Sequence, residues 1–139
     1  MWNVSLPQTD TPALRLCRKW LDAYGPAEKE LGNGSLICRL AADASLGDEG
    51  YHLRIDPQPT DCRILIEAQT EAGLLYGLSD FLFETLAEQR QAHTWMKPYY
   101  FRSPFAEGFA PVETTSCPKI RRRGLWTWGH FIYDYKGYL

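Results

Sequence analysis

Apolar positions recur along this chain in two rhythms, and the places where the rhythm changes divide it into elements. Between Asp10 and Pro26, Leu14, Cys17, Leu21 and Tyr24 fall on one helical face. Asp10-Thr11-Pro12 supplies a polar cap and a proline whose missing N–H costs nothing in the first turn, and Gly25-Pro26 stops the helix. After the Gly32-Asn33-Gly34 turn, the run from Ser35 to Leu40 reads as a strand. Tyr51-His52-Leu53-Arg54-Ile55 then alternates as a half-buried strand does, and Asp56-Pro57-Gln58-Pro59 ends it. The run from Arg63 to Ala68 is a third strand, and the short turn-rich join before it suits antiparallel neighbours. Helical spacing returns with Leu74, Leu78, Phe81, Leu82 and Leu86, capped by Thr70 and running to about Gln89.

Gly73 and Gly77 lie four residues apart in this second helix. Each costs roughly 1 kcal/mol of helix propensity relative to Ala, so their expected return is a ridge without side chains that lets the backbone approach the strands beneath. Beyond the helix, residues 91 to 118 form a long polar and aromatic connection with Trp95, Tyr99, Tyr100, Phe101, Phe105 and Phe109, in which Val112-Glu113-Thr114 is a candidate edge strand. The expected fold is α+β, a two-layer sandwich of a small, mainly antiparallel sheet with packed helices. No GxGxxG follows a strand, which argues against a Rossmann unit, and no Walker-type loop is present.

At 139 residues the chain has the size of one domain plus a short segment. The formal charge of −2 gives no basic surplus for nucleic acid, and the one basic concentration is Lys119 to Arg123. No apolar run approaches the roughly 20 residues of a membrane span, and the first residues lack the pattern of a secretory signal, so the expected location is cytoplasmic. Cys17, Cys38, Cys62 and Cys117 include no CxxC and no nearby His cluster. They read as reduced thiols, with no metal site and no cofactor expected. Pairing one of them with His52, His93 or His130 as a nucleophile is formally available, but a buried thiol is the plainer reading.

Tyr51-His-Leu-Arg-Ile, then Ile64-Leu-Ile-Glu-Ala, then Thr70-Glu-Ala-Gly73-Leu-Leu-Tyr-Gly77-Leu-Ser-Asp-Phe-Leu resembles the small α+β domain that precedes the catalytic barrel of β-N-acetylhexosaminidases, α-glucuronidases and related glycoside hydrolases. Ile120-Arg-Arg-Arg123-Gly124-Leu125-Trp126 resembles the first barrel strand of those enzymes. The resemblance implies an accessory domain over residues 1–118, with an aromatic linker from about 91, and the start of a truncated barrel over 119–139. It also implies that Arg123 takes the place of the arginine that contacts sugar hydroxyls, a role suited to a planar set of N–H donors.

Three further residues of the last segment are candidate sugar contacts. Trp126 and Trp128 alternate along the presumed strand and share a face, where a ring can stack on a sugar, and His130 can donate a hydrogen bond. Glycoside hydrolysis needs an acid and a second carboxylate or the substrate's acetamido group, and the resembling families carry these near later barrel strands. Within this chain Asp43, Asp48 and Glu49 fall in a turn. Glu71, Asp80, Glu84 and Glu88 read as a solvated helix surface, so no catalytic residue is assigned. The reading is therefore a non-catalytic accessory domain of a glycoside hydrolase. Its expected partners are a downstream barrel, carbohydrate, and a second copy through the C-terminal segment. The competing reading is a free-standing carbohydrate-binding or protein-interaction module built on the same aromatic residues.

Overall fold

The structure is a computed structural model that describes residues 1–26, 32–86 and 111–119. In chain order the elements are β1 (Trp2–Ser5), α1 (Pro12–Tyr24), β2 (Gly34–Leu40), β3 (Tyr51–Pro57), β4 (Cys62–Ala68), α2 (Glu71–Asp80, continued by a π-helical turn at Phe81–Thr85) and β5 (Val112–Ser116). A single 3₁₀ turn, Ala44–Leu46, interrupts the link from β2 to β3.

Both helices start as their side chains require. Thr11 accepts the Leu14 N–H at 3.4 Å with Pro12 in the first turn, and Thr70 accepts the Gly73 N–H at 3.1 Å. At the end of α1 the Gly25 N–H closes the last turn on the Leu21 carbonyl at 2.9 Å. α2 does not stop at Asp80. Its next turn widens, with the Leu86 N–H bonding the Phe81 carbonyl, and Phe81, Leu82 and Leu86 all remain in the core.

The strands form one five-stranded sheet in the order β1-β2-β4-β3-β5. The α+β expectation is met, with a five-stranded sheet and packed helices. The directions divide more evenly than expected, since β1–β2 and β2–β4 are parallel while β3–β4 and β3–β5 are antiparallel. β3 alone runs against the other four. The reason lies in the connections: α1 links β1 to its parallel neighbour β2, and α2 lies between β4 and β5, which run the same way on either side of β3. Only the four-residue link from Pro57 to Cys62 is short enough for a hairpin, and Gln58 and Asp61 close it with mutual backbone bonds of 2.7 and 3.3 Å. The sequence reading placed that hairpin and the β5 edge strand, but not β1.

Alternate strand residues face the helices. Leu36, Cys38, Leu53, Ile55, Ile64, Ile66 and Ala68 join Leu14, Cys17, Leu74, Leu78, Phe81, Leu82 and Leu86 in one core, each at most 2 % exposed. Full burial of such an aliphatic side chain is worth about 1.5–3 kcal/mol. Gly73 and Gly77 do what their spacing predicted. A Cβ on Gly73 would lie 2.4 Å from the Gly50 carbonyl oxygen, and one on Gly77 would lie 2.6 Å from Ile66 Cγ2. The link over residues 41–50 thus becomes a cradle for the start of α2. Ala41 donates to the Ala68 carbonyl at 2.9 Å, and the Thr70 hydroxyl donates to the Asp48 carbonyl.

The opposite sheet face is polar and internally paired. The register sets Arg39, Glu67, His52 and Thr115 in one row across β2, β4, β3 and β5. Within it, Arg39 bonds Glu67 at 2.6 Å and His52 Nδ1 lies 2.9 Å from the Thr115 hydroxyl, with Glu113 3.7 Å from His52 Nε2. Ile37, 40 % exposed, is the main apolar exposure there.

Candidate functional site

Where β5 ends beside α2, the described residues enclose an open cleft of about 570 Å³. Its floor is Tyr51, the first residue of β3, which pairs with Ser116 at the end of β5. One wall is a stripe of α2, Tyr76, Ser79, Asp80 and Glu84, whose spacing of three and four residues keeps them on one side of the helix. Glu49, Pro118 and Lys119 complete its lining.

The Tyr51 hydroxyl donates to Asp80 Oδ2 at 2.5 Å and ties the strand to the helix across the cleft floor. Burial, and then the Asp80 carboxylate accepting its proton, push the Tyr51 phenol up to about 12. At neutral pH it is a fixed hydrogen-bond donor and not a base. Asp80 is thereby engaged in structure, which refines its sequence reading as a solvated carboxylate. Tyr76 is 44 % exposed and lines the cleft.

Asp43, Glu71 and the buried cysteines, also named from sequence, are structural. Asp43 caps the 3₁₀ turn by accepting from the Ser45 N–H at 3.0 Å and its hydroxyl at 2.5 Å, which holds the Asp43 carboxyl below its ordinary value. Glu71 accepts from Thr9 at 2.8 Å, and hydroxyls of Thr11 and Thr9 lower its pKa, joining the first turns of the two helices. Cys17, Cys38 and Cys62 are buried thiols pushed by burial to about 11, 12 and 11, so they are protonated and inert near neutral pH, and Cys117 is exposed. Among the described residues no group of three His, Cys, Asp or Glu is placed to hold a metal ion. No described helix is long and apolar enough to cross a membrane.

Arg123, Trp126, Trp128 and His130, the sugar contacts expected from sequence, lie outside the described residues, as do Glu88, His93 and Trp95. β5 ends at the cleft, and Lys119, the last described residue, is among its lining. The sequence reading missed the cleft itself. A signal was present in Tyr76, Asp80 and Glu84 at i, i+4 and i+8, an outward stripe with an aromatic ring among carboxylates.

No curated protein matches the chain. A family model described as "Glycosyl hydrolase family 20, domain 2" matches residues 2–94, a span that takes in β1 through the end of α2 and more than half of the chain. With its sheet, its two helices on one face and that match, the chain belongs to the family of domain 2 of glycosyl hydrolase family 20.

Proposed function

We propose that this chain is a non-catalytic accessory domain of a glycoside hydrolase that acts on carbohydrate, and that it supports the catalytic barrel whose first strand begins at Arg123-Gly124. The observation that carries the reading is the family match over residues 2–94. The chemistry of the described residues supports it. Tyr51–Asp80 and Thr9–Glu71 are hydrogen-bonded pairs that tie separate parts of the fold together, Asp43–Ser45 caps a turn, and the three buried thiols are held protonated by burial near neutral pH.

In this role the domain contributes a rigid base. α2 is pinned to the sheet by two glycine contacts and by Tyr51, and β5, at the sheet edge, precedes in sequence the segment that carries Arg123. Arg123 holds the position of the sugar-binding arginine, and Trp126, Trp128 and His130 complete one rim of the site in the whole enzyme. The test is release of a chromogenic leaving group from a panel of aryl β- and α-glycosides. The isolated chain is expected to give no turnover above solvent. Robust turnover abolished by a substitution within the chain would refute the assignment.

A further inference from the structure

The cleft between β5 and α2 has the size of a small-molecule site, about 570 Å³ against the roughly 300–1,000 Å³ usual for ligand pockets. Its lining comes from three parts of the fold: Tyr51 from β3, the outer stripe of α2, and Ser116 to Lys119 at and beyond the end of β5. The accessory role uses only the Tyr51–Asp80 tie at its floor.

The chemistry of this lining narrows the ligand. Glu49, Asp80 and Glu84 offer acceptors, Lys119 offers donors, and the hydroxyls of Ser79 and Ser116 do both. Three carboxylates oppose an anion, and the Lys119 ammonium competes with any cation for those carboxylates. An apolar ligand would take water from all of these groups and return no hydrogen bond. A neutral polyol matches the set, because each of its hydroxyls both donates and accepts. Tyr76 adds a half-exposed ring to the same wall, a broad apolar surface with a polar tip.

One acceptor is fixed before any ligand arrives. The buried Tyr51 donates to Asp80 Oδ2 at 2.5 Å, and the Ser116 hydroxyl bonds the same phenol, so one chain of hydrogen bonds joins β5, β3 and α2. Asp80 Oδ1 has no hydrogen bond among the described residues. An acceptor held in this way spares the ordering cost of binding.

We infer that the cleft is a non-catalytic saccharide site, in which Asp80 and Glu84 accept hydroxyls of a neutral pyranose oligosaccharide, Lys119 donates to its oxygens, and Tyr76 packs against its C–H face. The inference goes beyond the accessory role, because it gives the domain a ligand of its own through described residues alone.

The test is calorimetric titration and saturation-transfer NMR of the full chain with neutral oligosaccharides of glucose, mannose, xylose and N-acetylglucosamine, beside spermidine and a galacturonate trimer as charged probes. At least one neutral oligosaccharide is expected to bind with a Kd below about 1 mM, about tenfold or more tighter than either charged probe. Tyr76→Ala and Glu84→Gln should each weaken that binding about tenfold or more while circular dichroism and Tm stay unchanged. Glu113→Gln, on the opposite face of the sheet, should leave it as it is. Binding of none of the neutral oligosaccharides, tighter binding of spermidine, or binding kept by either cleft variant overturns the inference. Binding lost in Trp126→Ala but kept in Tyr76→Ala also overturns it, by assigning the sugar to the segment that carries Arg123. Aryl glycoside turnover by the chain would sink the accessory role and leave this site standing, whereas neither turnover nor binding would sink this site alone.

Discussion

Replacing Gly73 with alanine separates two opposing effects that the structure allows to be weighed. In an unconstrained helix the substitution gains about 1 kcal/mol from propensity. Here the added Cβ would stand 2.4 Å from the Gly50 carbonyl oxygen and 2.8 Å from Ala68 Cβ. Gly50 is backbone, held by its N–H to the Leu46 carbonyl at 3.0 Å, and Ala68 belongs to a strand paired on both sides. Neither partner can swing aside, so the overpacking cost falls near the upper end of the usual range, about 3 kcal/mol. The net expectation is a loss of about 2 kcal/mol. At about 4–8 °C per kcal/mol for a unit of this size, Tm should fall by roughly 8–16 °C. Gly77→Ala should cost less, about 1 kcal/mol net, because its nearest neighbours are the side chains of Ile66 at 2.6 Å and Tyr51 at 3.0 Å, which can shift. Ala72→Gly, on the exposed side of the same helix, calibrates propensity alone and should lose about 1 kcal/mol. Thermal and urea unfolding of the full chain, followed by far-UV circular dichroism, measures all three. A Gly73→Ala chain as stable as its parent or more so refutes the close-approach argument.

Thr70→Ala removes both the cap on Gly73 and the hydroxyl's bond to the Asp48 carbonyl, and is expected to cost about 1–2 kcal/mol in urea titrations; a change below 0.5 kcal/mol, as an order of magnitude, would deny the cap its role. In the native chain a disulfide-exchange reagent at pH 8 should modify Cys117 at once and Cys17, Cys38 and Cys62 only on unfolding, and fast labelling of any of these three contradicts the burial described. The Tyr51 phenol is raised in the folded state, so its contribution to stability is fully present below its unfolded value of 10.0 and is lost as pH rises through about 12. The buried thiols act in the same direction from 9.0 upwards. Tyr51→Phe should therefore flatten the loss of stability above pH 10 while leaving the part that begins near pH 9, and an unchanged alkaline slope would count against this account.

Local signals determined much of the domain from sequence. Thr11-Pro12 and Gly25 bounded α1, Thr70 placed the start of α2, and the 3.6-residue spacing of Leu74, Leu78 and Leu82 told which side of it is buried. Alternation set the inward face of β3, the apolar runs marked β2 and β4 as strands, and the short 58–61 turn made the β3–β4 hairpin. These devices act over one to four residues, so the sequence exposes them directly. Gly73 and Gly77 belong with them, since two missing side chains on one ridge have few other uses.

Tertiary structure decided what no local rule ranks. β1 is four residues with three of them exposed, too short and too polar to stand out, and it exists because α1 returns the chain to place β2 alongside it. The insertion of β4 between β2 and β3 depends on which of several similar alternating strands find one another across the sheet. The same holds for Asp80. As a helix-surface carboxylate it is indistinguishable in sequence from Glu84, yet folding brings Tyr51 from 29 residues away to donate a hydrogen bond to it. Arg123, Trp126, Trp128 and His130 rest on resemblance and alternation alone, because a sugar site is made by side chains that converge from distant segments, and convergence is a property of the folded chain.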